Sequence, residues 1–134
     1  MFNLSIVTPE KIFYEGEVTS VVVPGSEGYL GVLTDHAPLI TAIVPGKFTI
    51  KDKSSKEILF CVSYGFFEVS ANHATLLADS VEFATDIDFE RAKDALSRAK
   101  KRLADTAGNI DIARARRAYE RAFNRIRLAG YDTE

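Results

Sequence analysis

Two patterns of hydrophobic and polar residues follow one another along the chain. In residues 1–85, short runs alternate with a period of two, as in Phe2, Leu4 and Ile6. Alternation that is rich in β-branched and aromatic residues is typical of strands with one buried face. In residues 86–134, the apolar residues instead recur on one side of a helix with 3.6 residues per turn. The pattern therefore predicts strands followed by helices.

The predicted strands are short and closely spaced, and residues typical of turns separate them. Runs that are apolar on both faces, at Val21–Val23 and Leu59–Val62, predict central strands. Many short strands with little helical pattern between them favour an antiparallel β-sandwich or flattened barrel over residues 1–85. The turn signals are Thr8-Pro9, Pro24-Gly25, Pro45-Gly46, Lys53 to Lys56 and Ala71-Asn72.

The helical part contains a repeat. The sequence IDFERA at 87–92 recurs 23 residues later as IDIARA at 110–115. Between the copies, Asp105 to Asn109 include Gly and Asn, which are residues that end helices. We therefore predict an antiparallel helical hairpin over residues 86–134, and the fold class is α+β.

The distribution of charge changes at the same place. Residues 1–85 hold 5 Lys, no Arg and 10 acidic residues, which is a net charge of −5. Residues 86–134 hold 3 Lys, 9 Arg and 9 acidic residues, which is a net charge of +3. A charge break that coincides with a change of periodicity predicts a domain boundary near Thr85 and Asp86.

The arginines of the repeat fall in two rows. On a helix, each row lies beside a stripe of mostly alanine residues, and alanines allow two helices to approach closely. Because the two copies share one pattern, an antiparallel hairpin brings both rows to the same edge. A bound anion would relieve the repulsion along that edge, and Arg in place of Lys favours phosphate or carboxylate. The alternative is that each row is an ordinary solvated helix face. The predicted rows are Arg91, Arg98 and Arg102 on the first helix, and Arg114, Arg121 and Arg125 on the second.

Other chemistry is sparse in this chain. Cys61 is the single cysteine, which excludes a disulfide within the chain and fits a reducing compartment. No apolar run approaches the roughly 18–20 residues that span a bilayer, and no signal peptide is visible. His36 is predicted to be buried or to brace a loop, and His73 to be solvated. Gly25, Gly28 and Gly31 are predicted to serve turns. We predict no catalytic residue and no metal site.

Short motifs in the first part of the chain resemble a known family. They are PGSEGYLGVL at 24–33, HAPL at 36–39, Pro45-Gly46, YGFFEV at 64–69 and LAD at 77–79. Together with the hairpin they are similar to the epsilon subunits of bacterial F-type ATP synthases, over essentially the whole chain. One departure is Tyr29, where relatives often carry an acidic residue.

The resemblance implies a non-catalytic subunit of the central stalk. The β-sandwich would dock on the gamma subunit and on the c-ring, with the loop from Gly28 to His36 facing the c-ring. A mobile C-terminal hairpin would inhibit ATP hydrolysis when it extends into the alpha/beta catalytic head. The expected location is the cytoplasmic face of the bacterial cell membrane, where membrane contact comes only through the complex.

Some members of that family bind ATP through a motif of the form Ile/Leu-Asp-x-x-Arg-Ala, which residues 87–92 match. ATP would be a regulatory ligand of the folded hairpin, and no catalytic cofactor is implied. Arg102 and Arg114 lie in the predicted rows but have no counterpart among the family's ATP contacts. The resemblance places those contacts on Glu82, Ile87, Asp88, Arg91, Ala92, Arg98, Arg121 and Arg125.

Two other classes of function compete with this interpretation. A structural adaptor without a ligand is the stronger alternative, because the resemblance supports docking more firmly than it supports ATP binding. A nucleic-acid-binding module would use the arginine edge to follow a phosphate backbone. The overall charge of −2 and the lack of interleaved aromatic residues along that edge argue against nucleic acid as a partner.

Overall fold

The computed structural model describes residues 1–104 and 111–129. Strands precede helices, as the periodicity predicts, and within the described residues there are nine strands and two helices. The predicted helix-breaking segment at 105–109 lies outside the described residues. The strands are β1 (Phe2–Val7), β2 (Ile12–Gly25), β3 (Gly28–Leu33), β4 (Leu39–Ile43), β5 (Gly46–Asp52), β6 (Glu57–Val62), β7 (Gly65–Ser70), β8 (His73–Ala78) and β9 (Val81–Phe83). A 3-10 turn at Ala84–Asp86 leads to α1 (Phe89–Ala104), and α2 spans Ile112–Leu128.

The strands form a sandwich that closes on itself. Hydrogen-bonded neighbours follow the order β1-β8-β7-β4-β2-β5-β6-β9, β3 pairs with β2, and β1 pairs with β2 as well as β8. The pairing is antiparallel except between β1 and β8, which run parallel. The predicted antiparallel sandwich is therefore confirmed, with one parallel pair.

Aromatic and aliphatic side chains from alternate strand positions fill the interior. Phe48, Phe60 and Phe67 are fully buried, and the rings of Phe48 and Phe60 meet edge to face with centroids 6.2 Å apart. Edge-to-face geometry is favourable because the ring faces are electron-rich and the ring edges electron-poor. The remaining core residues include Leu4, Ile6, Ile50 and Leu76.

One local prediction about the strands was wrong. Pro24-Gly25 is not a turn, because both residues remain paired with β3 and the turn falls at Ser26 and Glu27. Gly25 is needed there for space, since a Cβ on it would lie 2.8 Å from the carbonyl oxygen of Gly28. The predicted central strand at Val21–Val23 is confirmed, because this part of β2 pairs with β3 on one side and with β5 on the other. Its Val22 is nevertheless 39% exposed, since the two neighbouring side chains point into the core.

The predicted central strand at Leu59–Val62 is buried on both faces, as expected. Phe60 and Val62 belong to the sandwich core, whereas Cys61 packs against residues of the two helices. The helices therefore cover the outer face of β6. Among the described residues, neither helix is long and apolar enough to cross a bilayer.

A candidate anion-binding site between the hairpin and the sandwich

The two helices pack along the predicted alanine stripes. Ala92 and Ala99 of α1 and Ala115 and Ala122 of α2 are all buried, and both helices are strongly amphipathic. Side chains as small as methyl groups let the two backbones lie close together. The predicted hairpin seam is therefore confirmed.

One buried polar side chain fastens α2 to the sandwich. Asn124 is 3% exposed, and its Nδ2 lies 3.3 Å from the carbonyl oxygens of Gly46 and Val62 and 3.3 Å from Cys61 Sγ. Its Oδ1 accepts a hydrogen bond of 3.0 Å from Arg127. Every polar atom of this amide is thus partnered, as a buried amide requires.

A second polar contact lies nearby. The hydroxyl of Tyr64 donates a hydrogen bond to Glu120 Oε2 on α2. Burial, together with this hydrogen bond to a carboxylate, raises the pKa of Tyr64. Neither the Asn124 hydrogen bonds nor the Tyr64–Glu120 hydrogen bond was predicted from the sequence. The sequence signal that Asn124 faces the sandwich was its four-residue spacing from Leu128, which places both residues on one side of α2. The structure buries both.

Between the hairpin and the strands β6 and β9 lies a pocket of about 450 Å³, here called the arginine pocket. Pockets of this size hold small molecules. Four arginines enter it, two from each helix. Its lining residues are Cys61, Val62, Ser63, Ser80, Val81 and Glu82 of the sandwich and Ala95, Arg98, Ala99, Arg102, Ala118, Arg121, Ala122, Asn124 and Arg125 of the hairpin.

One of these arginines has a carboxylate partner from the sandwich. Arg125 Nε lies 2.5 Å from Glu82 Oε1, and Arg125 Nη2 lies 3.3 Å from Glu82 Oε2. The two side chains are 30% and 29% exposed. In the part of the chain that the structure describes, Arg98, Arg102 and Arg121 have no carboxylate within 4.0 Å of their guanidinium nitrogens. Within residues 1–104 and 111–129, the pocket therefore presents three guanidinium groups that lack a carboxylate partner.

The structure brings together half of the residues predicted to contact ATP. Glu82, Arg98, Arg121 and Arg125 line the arginine pocket. The other four, at the start of α1, do not belong to its lining, and neither does Arg114. Arg102, which the resemblance did not place in the site, does line it.

The motif at 87–92 has a structural role at the start of α1. Ile87 and Ala92 are buried against Cys61 and Leu128. Asp88 Oδ1 accepts a hydrogen bond of 3.1 Å from the backbone N–H of Arg91, as a helix cap does. The Arg91 side chain is exposed. Because antiparallel helices begin at opposite ends of a hairpin, the first-turn residues Arg91 and Arg114 lie beyond the pocket.

Cys61 lies at the contact between the two parts of the structure. It is 5% exposed, and burial raises the pKa of its thiol to about 12. A thiol with so high a pKa is a poor nucleophile at neutral pH. The guanidinium groups of the arginine pocket, by contrast, are groups that can bind an anion electrostatically.

The whole chain is similar to known proteins. Residues 1–84 match the family model described as ATP synthase, Delta/Epsilon chain, beta-sandwich domain, and residues 85–130 match the model for the long alpha-helix domain of the same chain. The ATP synthase epsilon chain of Moorella thermoacetica is 42% identical over 128 residues, with 96% of each chain covered. That of Desulforamulus reducens is 44% identical over 127 residues, covering 95% of this chain and 96% of the relative.

Solved structures share the fold. A chain in the Euglena gracilis mitochondrial ATP synthase, OSCP/F1/c-ring in rotational state 1, superposes with a TM-score of 0.79 at 19% identity, over 90% of this chain and 76% of that chain. A chain in the Tetrahymena thermophila mitochondrial ATP synthase central stalk/c-ring gives a TM-score of 0.55 at 17% identity, over 94% of this chain and 91% of that chain. With both family models matched and close relatives aligned along nearly its full length, the chain belongs to the ATP synthase delta/epsilon chain family.

Proposed function

We propose that this chain is a non-catalytic subunit of the central stalk of an F-type ATP synthase. Its sandwich, residues 1–85, would dock on the gamma subunit and the c-ring, and residues 86–134 would be its regulatory part. The support is the full-length similarity to ATP synthase epsilon chains and the fold shared with chains of central-stalk and c-ring assemblies. The subunit would lie at the cytoplasmic face of the membrane and contact it only through the complex.

We further propose that the docked hairpin binds ATP. The observation that carries this proposal is the arginine pocket, in which four guanidinium groups from two helices face the strands β6 and β9. Guanidinium groups bind phosphate oxygens with two parallel hydrogen bonds, so the pocket suits a triphosphate. The resemblance also counts Ile87, Asp88, Arg91 and Ala92 among the contacts of ATP, and none of these four lines the pocket.

ATP would act by selecting one of two conformations of the hairpin. The walls of the pocket come from both the sandwich and the hairpin, so the site exists only when the hairpin is docked. A ligand that binds the docked state better shifts the population towards it. Without ATP, α2 would extend towards the alpha/beta catalytic head and inhibit hydrolysis.

Calorimetric titration with ATP and GTP tests this proposal, with Arg121→Ala as the site variant and Arg116→Ala as the matched control. Arg116 is on the same helix, is exposed and does not line the pocket. We expect saturable one-to-one binding of ATP that weakens roughly tenfold or more in Arg121→Ala, since a charged hydrogen bond is lost. The control should bind like the wild type. No detectable heat with ATP at millimolar concentration would contradict the proposal.

One observation favours a second candidate, a rotor-linking adaptor without a physiological ligand. Asn124, Tyr64 and Glu82 hold the hairpin on the sandwich through contacts within the chain alone. An adaptor needs docked helices but no nucleotide. The same titration separates the two candidates, because an adaptor gives no saturable ATP binding while its helices remain docked.

A further inference from the structure

Glu82 places a carboxylate inside the arginine pocket, where a ligand's phosphates would have to bind. It belongs to β9, the edge strand, and reaches α2 by contacting Arg125 through two nitrogen–oxygen pairs. A carboxylate held in this way uses the same two parallel donors of the guanidinium that a phosphate would use. Arg125 is therefore already paired with an anion that is part of the chain.

The three other arginines of the pocket differ from Arg125 in this respect. Among residues 1–104 and 111–129, none of the three has a carboxylate within the 4.0 Å of an ion pair. As far as the described residues go, an entering anion thus meets three guanidinium groups without a carboxylate partner and one that is paired. To engage the fourth, it has to displace Glu82.

We infer that Glu82 competes with the phosphate groups of the ligand for Arg125 and thereby limits the affinity of the pocket for polyanions. This inference rests on the proposed function, because it takes the arginine pocket to be the phosphate site. The resemblance counts Glu82 among the contacts of bound ATP. In the structure the same carboxylate contacts Arg125, one of the arginines that would bind the phosphates.

Inorganic triphosphate is the suitable probe because it lacks the adenine ring. Any contact that Glu82 makes with the base would affect ATP, whereas triphosphate reports only the anion site. The variant is Glu82→Gln, which keeps the size of the side chain and removes its charge. Glu68→Gln is the matched control, since Glu68 is exposed on β7 and its removal changes the net charge by the same amount.

Each protein is titrated calorimetrically with triphosphate, after circular dichroism has shown that the variant is folded. An ion pair whose side chains are 30% and 29% exposed contributes up to about 1 kcal/mol, so Glu82→Gln should bind triphosphate roughly fivefold more tightly than the wild type. Glu68→Gln should differ from the wild type by less than about twofold. Equal or weaker binding by Glu82→Gln would overturn the inference.

A double-mutant cycle separates competition for Arg125 from a general effect of charge. In a protein that carries Arg125→Gln, no guanidinium is released when Glu82 is replaced, so the gain in affinity should be absent. An equal gain in both backgrounds would overturn the inference.

The wild-type ATP titration reports separately on the proposed function. If the wild type binds ATP but Glu82→Gln binds triphosphate no more tightly than the wild type, only the inferred competition is refuted. If Glu82→Gln binds triphosphate more tightly but the wild type does not bind ATP, only the proposed ATP-binding function is refuted.

Discussion

Asn124→Leu is expected to release α2 from the sandwich. Leucine has the same branched arrangement of heavy atoms as asparagine, so the contact stays filled, but it cannot donate to the carbonyl oxygens of Gly46 and Val62. Arg127 also loses the Asn124 acceptor of its hydrogen bond, but the Arg127 side chain is exposed and can bond to water instead. Buried acceptors that lose their donor cost about 1–3 kcal/mol, and we take about 2 kcal/mol for the whole change. The population with undocked helices should then rise about 30-fold.

Alkylation of Cys61 measures that population without any engineered probe, because the chain has one cysteine. In the docked state the thiol is buried and its pKa is raised to about 12. At pH 8 a pKa of 12 leaves roughly 10⁻⁴ of the thiol ionised, compared with about a quarter at an ordinary cysteine pKa. Because the thiolate is the reactive form, labelling proceeds through the undocked population. The labelling rate of Asn124→Leu should therefore exceed that of the wild type about 30-fold.

Phe123→Leu provides the matched control for this measurement. It introduces the same residue at the neighbouring position of α2, where the side chain is 48% exposed. Its labelling rate should stay within about twofold of the wild type, since exposed substitutions have small effects. Equal rates in Asn124→Leu and the wild type, or the same increase in both variants, would refute the role given to the Asn124 amide.

Three further outcomes are expected from other parts of the structure. Gly65→Ala should prevent correct folding, because a Cβ there would lie 1.8 Å from the carbonyl oxygen of Leu77, whereas Gly31→Ala, with nothing within 4 Å, should fold normally by circular dichroism. Tyr64→Phe should raise the thiol labelling rate about fivefold, since it removes one hydrogen bond between the sandwich and α2. The pKa of Cys61 is higher in the folded protein than in the unfolded chain, so a protonated thiol favours the folded state. This contribution to the free energy of unfolding is fully present below the pKa of the unfolded thiol and is lost as the pH rises towards 12. Between pH 8.5 and 9.5 the wild type should lose about 1 kcal/mol of unfolding free energy more than Cys61→Ala, measured by urea denaturation.

Residues whose environment is set by local periodicity were predicted well from the sequence. The alternation in β1 and the stripe through Ala92 and Ala99 predict which side of each element is buried. In the structure, the apolar side chains at alternate positions of β1 and both alanines are buried as predicted. The two arginine rows follow from the same helical geometry. The sequence therefore predicted the sandwich and the hairpin seam, and four of the six row arginines line one pocket.

The contacts that hold the hairpin against the sandwich could not be predicted in this way. Asn124 reaches residues more than sixty positions away in the chain, and Glu82 is 43 positions from Arg125. Periodicity within one helix carries no information about which distant strand it meets. A lone Asn in a polar-rich helix has the same local pattern whether it is solvated or buried. The pairing of Glu82 with Arg125 likewise depends on where β9 lies beside α2.

Saturating ATP should restore the docked state of Asn124→Leu. Under the proposed function, ATP binds a pocket whose walls come from both parts of the structure, so it stabilises docking by mass action. At 100 times the dissociation constant this contribution is about 2.7 kcal/mol, which exceeds the roughly 2 kcal/mol lost with the amide. The thiol labelling rate of Asn124→Leu should then fall to the wild-type level or below. Adding Arg121→Ala to the same protein should reduce the rescue to about 1.4 kcal/mol or less at that ATP concentration, because a tenfold weaker ligand is then at only about ten times its dissociation constant. If ATP leaves the labelling of Asn124→Leu unchanged, nucleotide binding and helix docking are not coupled.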